Sequence, residues 1–155
     1  MDIYSQFISK SRYARYLPED KQREDWNDTV NRYMDFMTSH LESSAGYTME
    51  PYVKTKVQNA IENLEVMPSM RAIMTSGKAL ARDNVAGYNC SYLPIDDPKS
   101  FDEAMYILLC GTGVGFSVEQ KYIEKLPDVP EKLFESETTI VVSDSKEGWA
   151  KGYRQ

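Results

Sequence analysis

Two cysteines, Cys90 and Cys110, and a single histidine, His40, are the side chains of this 155-residue chain best suited to thiol or imidazole chemistry. Cys90 stands in Val85-Ala86-Gly87-Tyr88-Asn89-Cys90-Ser91-Tyr92-Leu93-Pro94, a run whose pattern reads as a buried strand. Cys110 opens a second run, Cys110-Gly111-Thr112-Gly113-Val114-Gly115-Phe116-Ser117. A thiol on a strand, facing backbone thinned by glycine, suggests a packed site where sulfur does redox work. An inert core cysteine accounts for the same residue, because free cysteine is among the most buried residue types. With one histidine, a tetrahedral zinc site is not expected.

The glycine run invites a nucleotide-binding reading that its surroundings oppose. A dinucleotide fingerprint runs strand, glycines, helix, so that phosphate meets a helix N-terminus. Here the glycines follow a helical pattern and precede a strand, so the nearby helix end is the negative one. The Gly-Lys-Ser/Thr ending of a phosphate loop is absent. Two explanations remain: a C-cap with close packing against a neighbouring strand, or bare backbone on which a ligand lies directly.

Composition narrows the class. A chain of this length fits one domain and buries about 70% of its unfolded surface. Hydrophobic residues at 41% and charged residues at 27% describe an ordinary globular protein. A net charge of −6 argues against direct nucleic-acid binding, which needs clustered Lys and Arg. No apolar run approaches the roughly 20 residues of a membrane span. Met1-Asp2-Ile3-Tyr4-Ser5-Gln6 lacks the basic and apolar regions of a signal peptide. Few cysteines and no secretion signal lead to the expectation of a reducing cytoplasm.

The elements that must position these residues follow from periodicity. Trp26, Val30, Tyr33, Met34, Met37 and Leu41 recur at steps of three and four, which predicts a helix with Pro18 in its first turn and Gly46 after its end. A second helix is expected from about Pro51 to Leu64, with Val53, Val57, Ala60, Ile61 and Leu64 inward and Met67-Pro68 closing it. Val85 to Leu93 reads as a strand. Asp97-Pro98 reads as a cap and first turn for a helix lined by Phe101, Ala104, Met105, Leu108 and Leu109. Val114 to Glu119 returns as a strand, and Thr138 to Val142 predicts a third strand buried on both faces. Ser143 or Ser145 is placed to cap a last helix near Lys146. Strand, helix, strand at this spacing suggests a parallel crossover unit.

Several of these runs carry a resemblance. Glu65-Val66-Met67-Pro68-Ser69-Met70-Arg71-Ala72, the Asn84 to Pro94 run, Tyr106 to Ser117, Thr139-Ile140-Val141-Val142 and Asp144-Ser145-Lys146-Glu147-Gly148-Trp149-Ala150 look like the N-terminal part of a class II ribonucleotide reductase. The nearest likeness is to the monomeric, adenosylcobalamin-dependent ribonucleoside-triphosphate type, dense from about Leu64 onward. It implies an α/β fold: an N-terminal helical region, residues 1–66, then the first strands and helices of a ten-stranded barrel, residues 67–155. It implies thiyl-radical reduction of ribonucleotides, in which Cys90 resembles the first member of the reducing thiol pair. Ser69 resembles the region that meets substrate phosphates, and Asn89, Gly113 and Gly115 would lie beside the nucleotide. Asp97 is spaced after Cys90 like the acid that holds the ribose of a deoxynucleotide effector. For Ser69 and Asp97 a turn or helix-cap role explains the residue equally well. Adenosylcobalamin, a ribonucleoside triphosphate and a thioredoxin-like reductant are the implied cofactor, substrate and partner.

The family's radical cysteine, the second thiol of the pair and most cobalamin contacts lie later in such chains. The expectation is therefore a fragment, inactive alone, whose barrel a second polypeptide completes. Two other readings stay open: part of a class I large subunit served by a separate metal-bearing subunit, or a non-catalytic nucleotide-binding remnant.

Overall fold

The computed structural model describes residues 1–155, which divide into two compact units, Met1–Gly87 and Tyr88–Gln155. The division expected at 66/67 falls inside the first unit.

In the first unit, helix α1 (Ile3–Ile8) starts at Asp2, whose carboxylate accepts the Ser5 N–H at 2.7 Å. It runs on into a π-helical turn, Ser9–Tyr13. Strands β1 (Tyr16–Leu17) and β2 (Gln22–Arg23) then form a short antiparallel hairpin. Pro18 lies in the turn of this hairpin rather than in a helix, a correction to the sequence reading. The reason is a stronger start further on. Asp25 accepts the Asp28 N–H at 2.8 Å while Asp28 accepts the Asp25 N–H at 3.0 Å. This reciprocal cap opens α2 (Trp26–Ala45), which ends at Gly46 with φ +63°.

Helix α3 (Pro51–Glu62) has proline in its first turn, where a missing N–H costs nothing. Ile61 is buried with Val30 and Met34 of α2, and these three form the core of the unit. Val53, Val57 and Leu64 are exposed, against expectation. Polar pairs explain why: Lys54 reaches Asp35 at 3.0 Å and Gln58 reaches Asn31 at 2.8 Å. These place the 54, 58, 61 stripe against α2 and rotate 53 and 57 off it. Leu64, at φ +60°, stops the helix before Met67-Pro68 can. Helices α4 (Met70–Thr75) and α5 (Lys78–Arg82) and a 3-10 turn (Asn84–Gly87) complete the unit. Val85 and its neighbours are thus not a strand. Asp83 accepts the Val85 N–H at 2.9 Å, a local turn that overrides the strand preference of the run.

A buried polar cluster ties the unit together. Glu24 is 4% exposed and takes Arg32 Nε at 2.8 Å, the Arg15 N–H at 3.1 Å and the Thr29 hydroxyl at 3.1 Å. Arg32 also donates to the carbonyls of Tyr13, Ile73 and Ser76. Burial pushes the Glu24 carboxyl upward. The Arg32 and Arg15 hydrogen bonds, the Arg32 charge and Thr29 together outweigh it, holding the group below the usual carboxylate range.

In the second unit, β3 (Cys90–Pro94), α6 (Lys99–Leu109) and β4 (Gly113–Ser117) form the parallel crossover that the spacing implied. A short helix α7 (Gln120–Ile123) follows. Thr138 to Val142 forms no strand and is largely exposed, with Val141 at 91%. An apolar β-branched run needs a partner ladder to become a strand, and this run has none. Ser145 caps α8 (Lys146–Arg154), accepting the Gly148 N–H at 2.9 Å. Helix α8 lies on α6, where Arg154 Nε donates to the buried Asp102 at 2.8 Å. No helix is long and apolar enough to cross a membrane.

Candidate functional site

The register of the parallel pair decides what surrounds Cys90. Cys90 stands opposite Gly113, Tyr92 opposite Gly115 and Pro94 opposite Ser117. Side chains alternate along a strand, so these six residues share one face and Ser91, Leu93, Val114 and Phe116 share the other. On the latter face Leu93 is buried, Ser91 and Val114 are half-buried and Phe116 is exposed, whereas Cys90, Tyr92, Gly113 and Gly115 are all exposed. The thiol therefore stands on the uncovered face, beside a strip of backbone without side chains. The expectation of a buried Cys90 is corrected: its strand is buried on one face only. Cys110, at the C-cap of α6, is the buried cysteine, and neither cysteine is in a disulfide.

The glycines are not demanded by packing. A Cβ on Gly113 would come no nearer than 3.5 Å to the Asn89 carbonyl oxygen, and one on Gly115 no nearer than 3.6 Å to that of Ser91. Both are ordinary contacts. Close packing of these two positions against the neighbouring strand is thus set aside in favour of open backbone. The C-cap part of that explanation survives at Gly111, which has φ +85° just after α6.

Hydrogen bonds fix the backbone around the thiol. The Gly113 N–H donates to the Asn89 carbonyl at 3.0 Å, and the Ser91 hydroxyl donates to the Gly113 carbonyl at 3.1 Å. Thr112, 1% exposed, donates its hydroxyl to the Tyr88 carbonyl at 3.0 Å. Sequence reasoning passed over Thr112 and Tyr92. A hydroxyl wedged between glycines ahead of an apolar strand was the available signal for the first.

Asn89, Cys90, Gly113 and Gly115 are therefore brought together. Asp97 lies elsewhere in the same unit. Its Oδ1 accepts the Lys99 N–H at 2.8 Å, so it serves the start of α6. It also borders an open cleft of about 540 Å³ with Pro98, Lys99, Phe101, Tyr153 and Arg154. Ser69 belongs to the first unit, exposed at the N-cap of α4, where its side chain makes no capping bond.

No protein-family model matches the chain. It is 30% identical over 173 residues to an adenosylcobalamin-dependent ribonucleoside-triphosphate reductase of Lacticaseibacillus paracasei, covering 91% of this chain and 22% of that protein. The reductase of the same description from Levilactobacillus brevis is 25% identical over 170 residues, again 91% of this chain and 22% of the relative. The chain thus spans about a fifth of the length of these relatives. Its fold matches the crystal structure of a B-12 dependent (class II) ribonucleotide reductase with a TM-score of 0.68 at 21% identity, over 93% of this chain and 28% of the other. In sequence over nine-tenths of its length, and in fold, the chain resembles the class II, adenosylcobalamin-dependent ribonucleotide reductases.

Proposed function

We propose that the chain is the N-terminal segment of a class II ribonucleoside-triphosphate reductase, in which Cys90 is one of two thiols that deliver electrons to a bound ribonucleotide. The observation that carries this reading is the exposed thiol on the uncovered, glycine-floored face of the β3–β4 pair. Replacing a ribose 2′-hydroxyl with hydrogen takes two electrons. Two thiols supply them, with two protons, on becoming a disulfide, and the hydroxyl departs as water. A thioredoxin-like dithiol reopens that disulfide by exchange, which requires a reachable sulfur. Cys110 is buried and is not the second thiol. That thiol and the radical-bearing cysteine come from polypeptide outside these residues.

The bare backbone at Gly113 and Gly115, with Asn89, forms the bed for the nucleotide. The Ser69 hydroxyl meets substrate phosphates, and Asp97 meets the ribose of a deoxynucleotide effector. The crossover unit supplies opening strands of a ten-stranded α/β barrel. Exposed Phe101, Leu108, Phe116 and Val118 support further polypeptide packing over it.

Adenosylcobalamin, which appears in the names of the relatives, is the cofactor the resemblance implies for the whole enzyme, with most of its contacts outside these residues. Its binding is assigned to the remainder of the enzyme.

The test is reconstitution with the polypeptide that supplies the rest of the reductase. Cys90→Ser should abolish multiple turnover with external reductant and leave radical formation intact. Turnover at the parent rate would remove Cys90 from the reducing pair. The names of the relatives favour the class II radical source over a metal-bearing subunit, and cobalamin dependence of the reconstituted protein checks that separately.

A further inference from the structure

We propose that Thr112 is the positioning residue for the Cys90 thiol, through its hydrogen bond to the Tyr88 carbonyl. The proposal deepens the reading of Cys90 as an electron donor, and rests on it for its functional meaning. Thr112 is 1% exposed, yet it precedes a strand whose first residue, Gly113, is exposed. Burying a hydroxyl is unfavourable unless it finds a partner, and here the partner is the carbonyl at which the chain enters β3, at 3.0 Å. The adjacent Gly113 N–H holds the next carbonyl, that of Asn89, at 3.0 Å. The Ser91 hydroxyl closes the far side on the Gly113 carbonyl at 3.1 Å. Three anchors, at Tyr88, Asn89 and Ser91, therefore bracket Cys90 and fix it opposite Gly113. The last two involve the strand pair itself. Only the Thr112 bond is made by a side chain outside both strands, so it sets where the pairing begins. A one-residue slip would turn Cys90 onto the covered face.

The experiment uses the full chain and glutathione disulfide, and measures the equilibrium Cys90–SH + GSSG ⇌ Cys90–S–SG + GSH by intact mass. The register places a mixed disulfide at Cys90 beside the bare backbone of Gly113, so its formation should read that register. Thr112→Val keeps the shape of the side chain and loses the donor; Thr112→Ser keeps the donor. The expected result is a fall of at least threefold in the equilibrium constant for Thr112→Val, with Thr112→Ser within twofold of the parent. Alkylation of the buried Cys110 is followed in the same samples as a reporter of unfolding. An unchanged equilibrium in Thr112→Val overturns the proposal. So does an equal fall in both variants, or a fall accompanied by exposure of Cys110, since either marks a packing role. The readout needs no nucleotide reduction. Failure of Thr112 as the positioning residue and failure of Cys90 as the electron donor are therefore told apart.

Discussion

Gly113 faces Cys90 across the parallel ladder, and neither the neighbouring strand nor any other atom within 3.5 Å fills the place where its side chain would stand. The missing side chain is therefore a feature of the surface above the strand. Gly113→Ala should leave thermal stability unchanged or raise it by about 0.5 kcal/mol, because alanine restricts the unfolded chain more than glycine does. Gly113→Val should fold as well, yet lower kcat/KM for nucleotide reduction at least tenfold in the reconstituted enzyme. Thermal denaturation beside a nucleotide-binding isotherm distinguishes the cases. A stability loss of about 1–3 kcal/mol with binding intact would point to overpacking instead.

Glu24 and Arg32 form a pair of the kind that is costly to halve. Their side chains are 6% and 14% exposed. Glu24→Gln should destabilise the protein by about 3 kcal/mol, since it leaves the guanidinium inside without a counter-charge. The same group gives a pH dependence. Its carboxyl is held below the ordinary range in the folded state, so its contribution is complete above the unfolded glutamate range. It is lost as pH falls through the lower, folded value. Urea midpoints at a series of acid pH values should fall for the parent and much less for Glu24→Gln.

Gly148 offers a contest of signs. Helix propensity alone makes Gly148→Ala stabilising by about 1 kcal/mol. A Cβ at this position would collide with the Ser143 carbonyl, and one on Gly152 would reach within 2.6 Å of Val142. Overpacking of this severity costs about 1–3 kcal/mol, so the clash should win and Gly148→Ala should lower the melting temperature. Amide exchange should show the loss in α8 first.

Elements announced by punctuation were legible in the sequence. Gly46 closes α2 and Pro51 opens α3 as read. The crossover was readable because Asp97-Pro98 and Gly111 bracket its helix. At the candidate site, glycine spacing showed where bare backbone would lie, but the exposure of Cys90 depends on which sheet face is covered. Periodicity within five residues cannot carry that information. The misread segments were decided by contacts that composition does not encode. Asp83 drew Val85 into a turn. Lys54 and Gln58 chose which stripe of α3 turned inward. Thr138 to Val142 had the composition of a strand and no neighbour to pair with.

A ladder of only two parallel strands presents an unused row of amide donors and carbonyl acceptors along each outer border. Any extended polypeptide that slides alongside finds its hydrogen-bonding partners already spaced for it. Until such a segment arrives, the same borders invite adhesion between copies, and the chain should self-associate increasingly as its concentration rises.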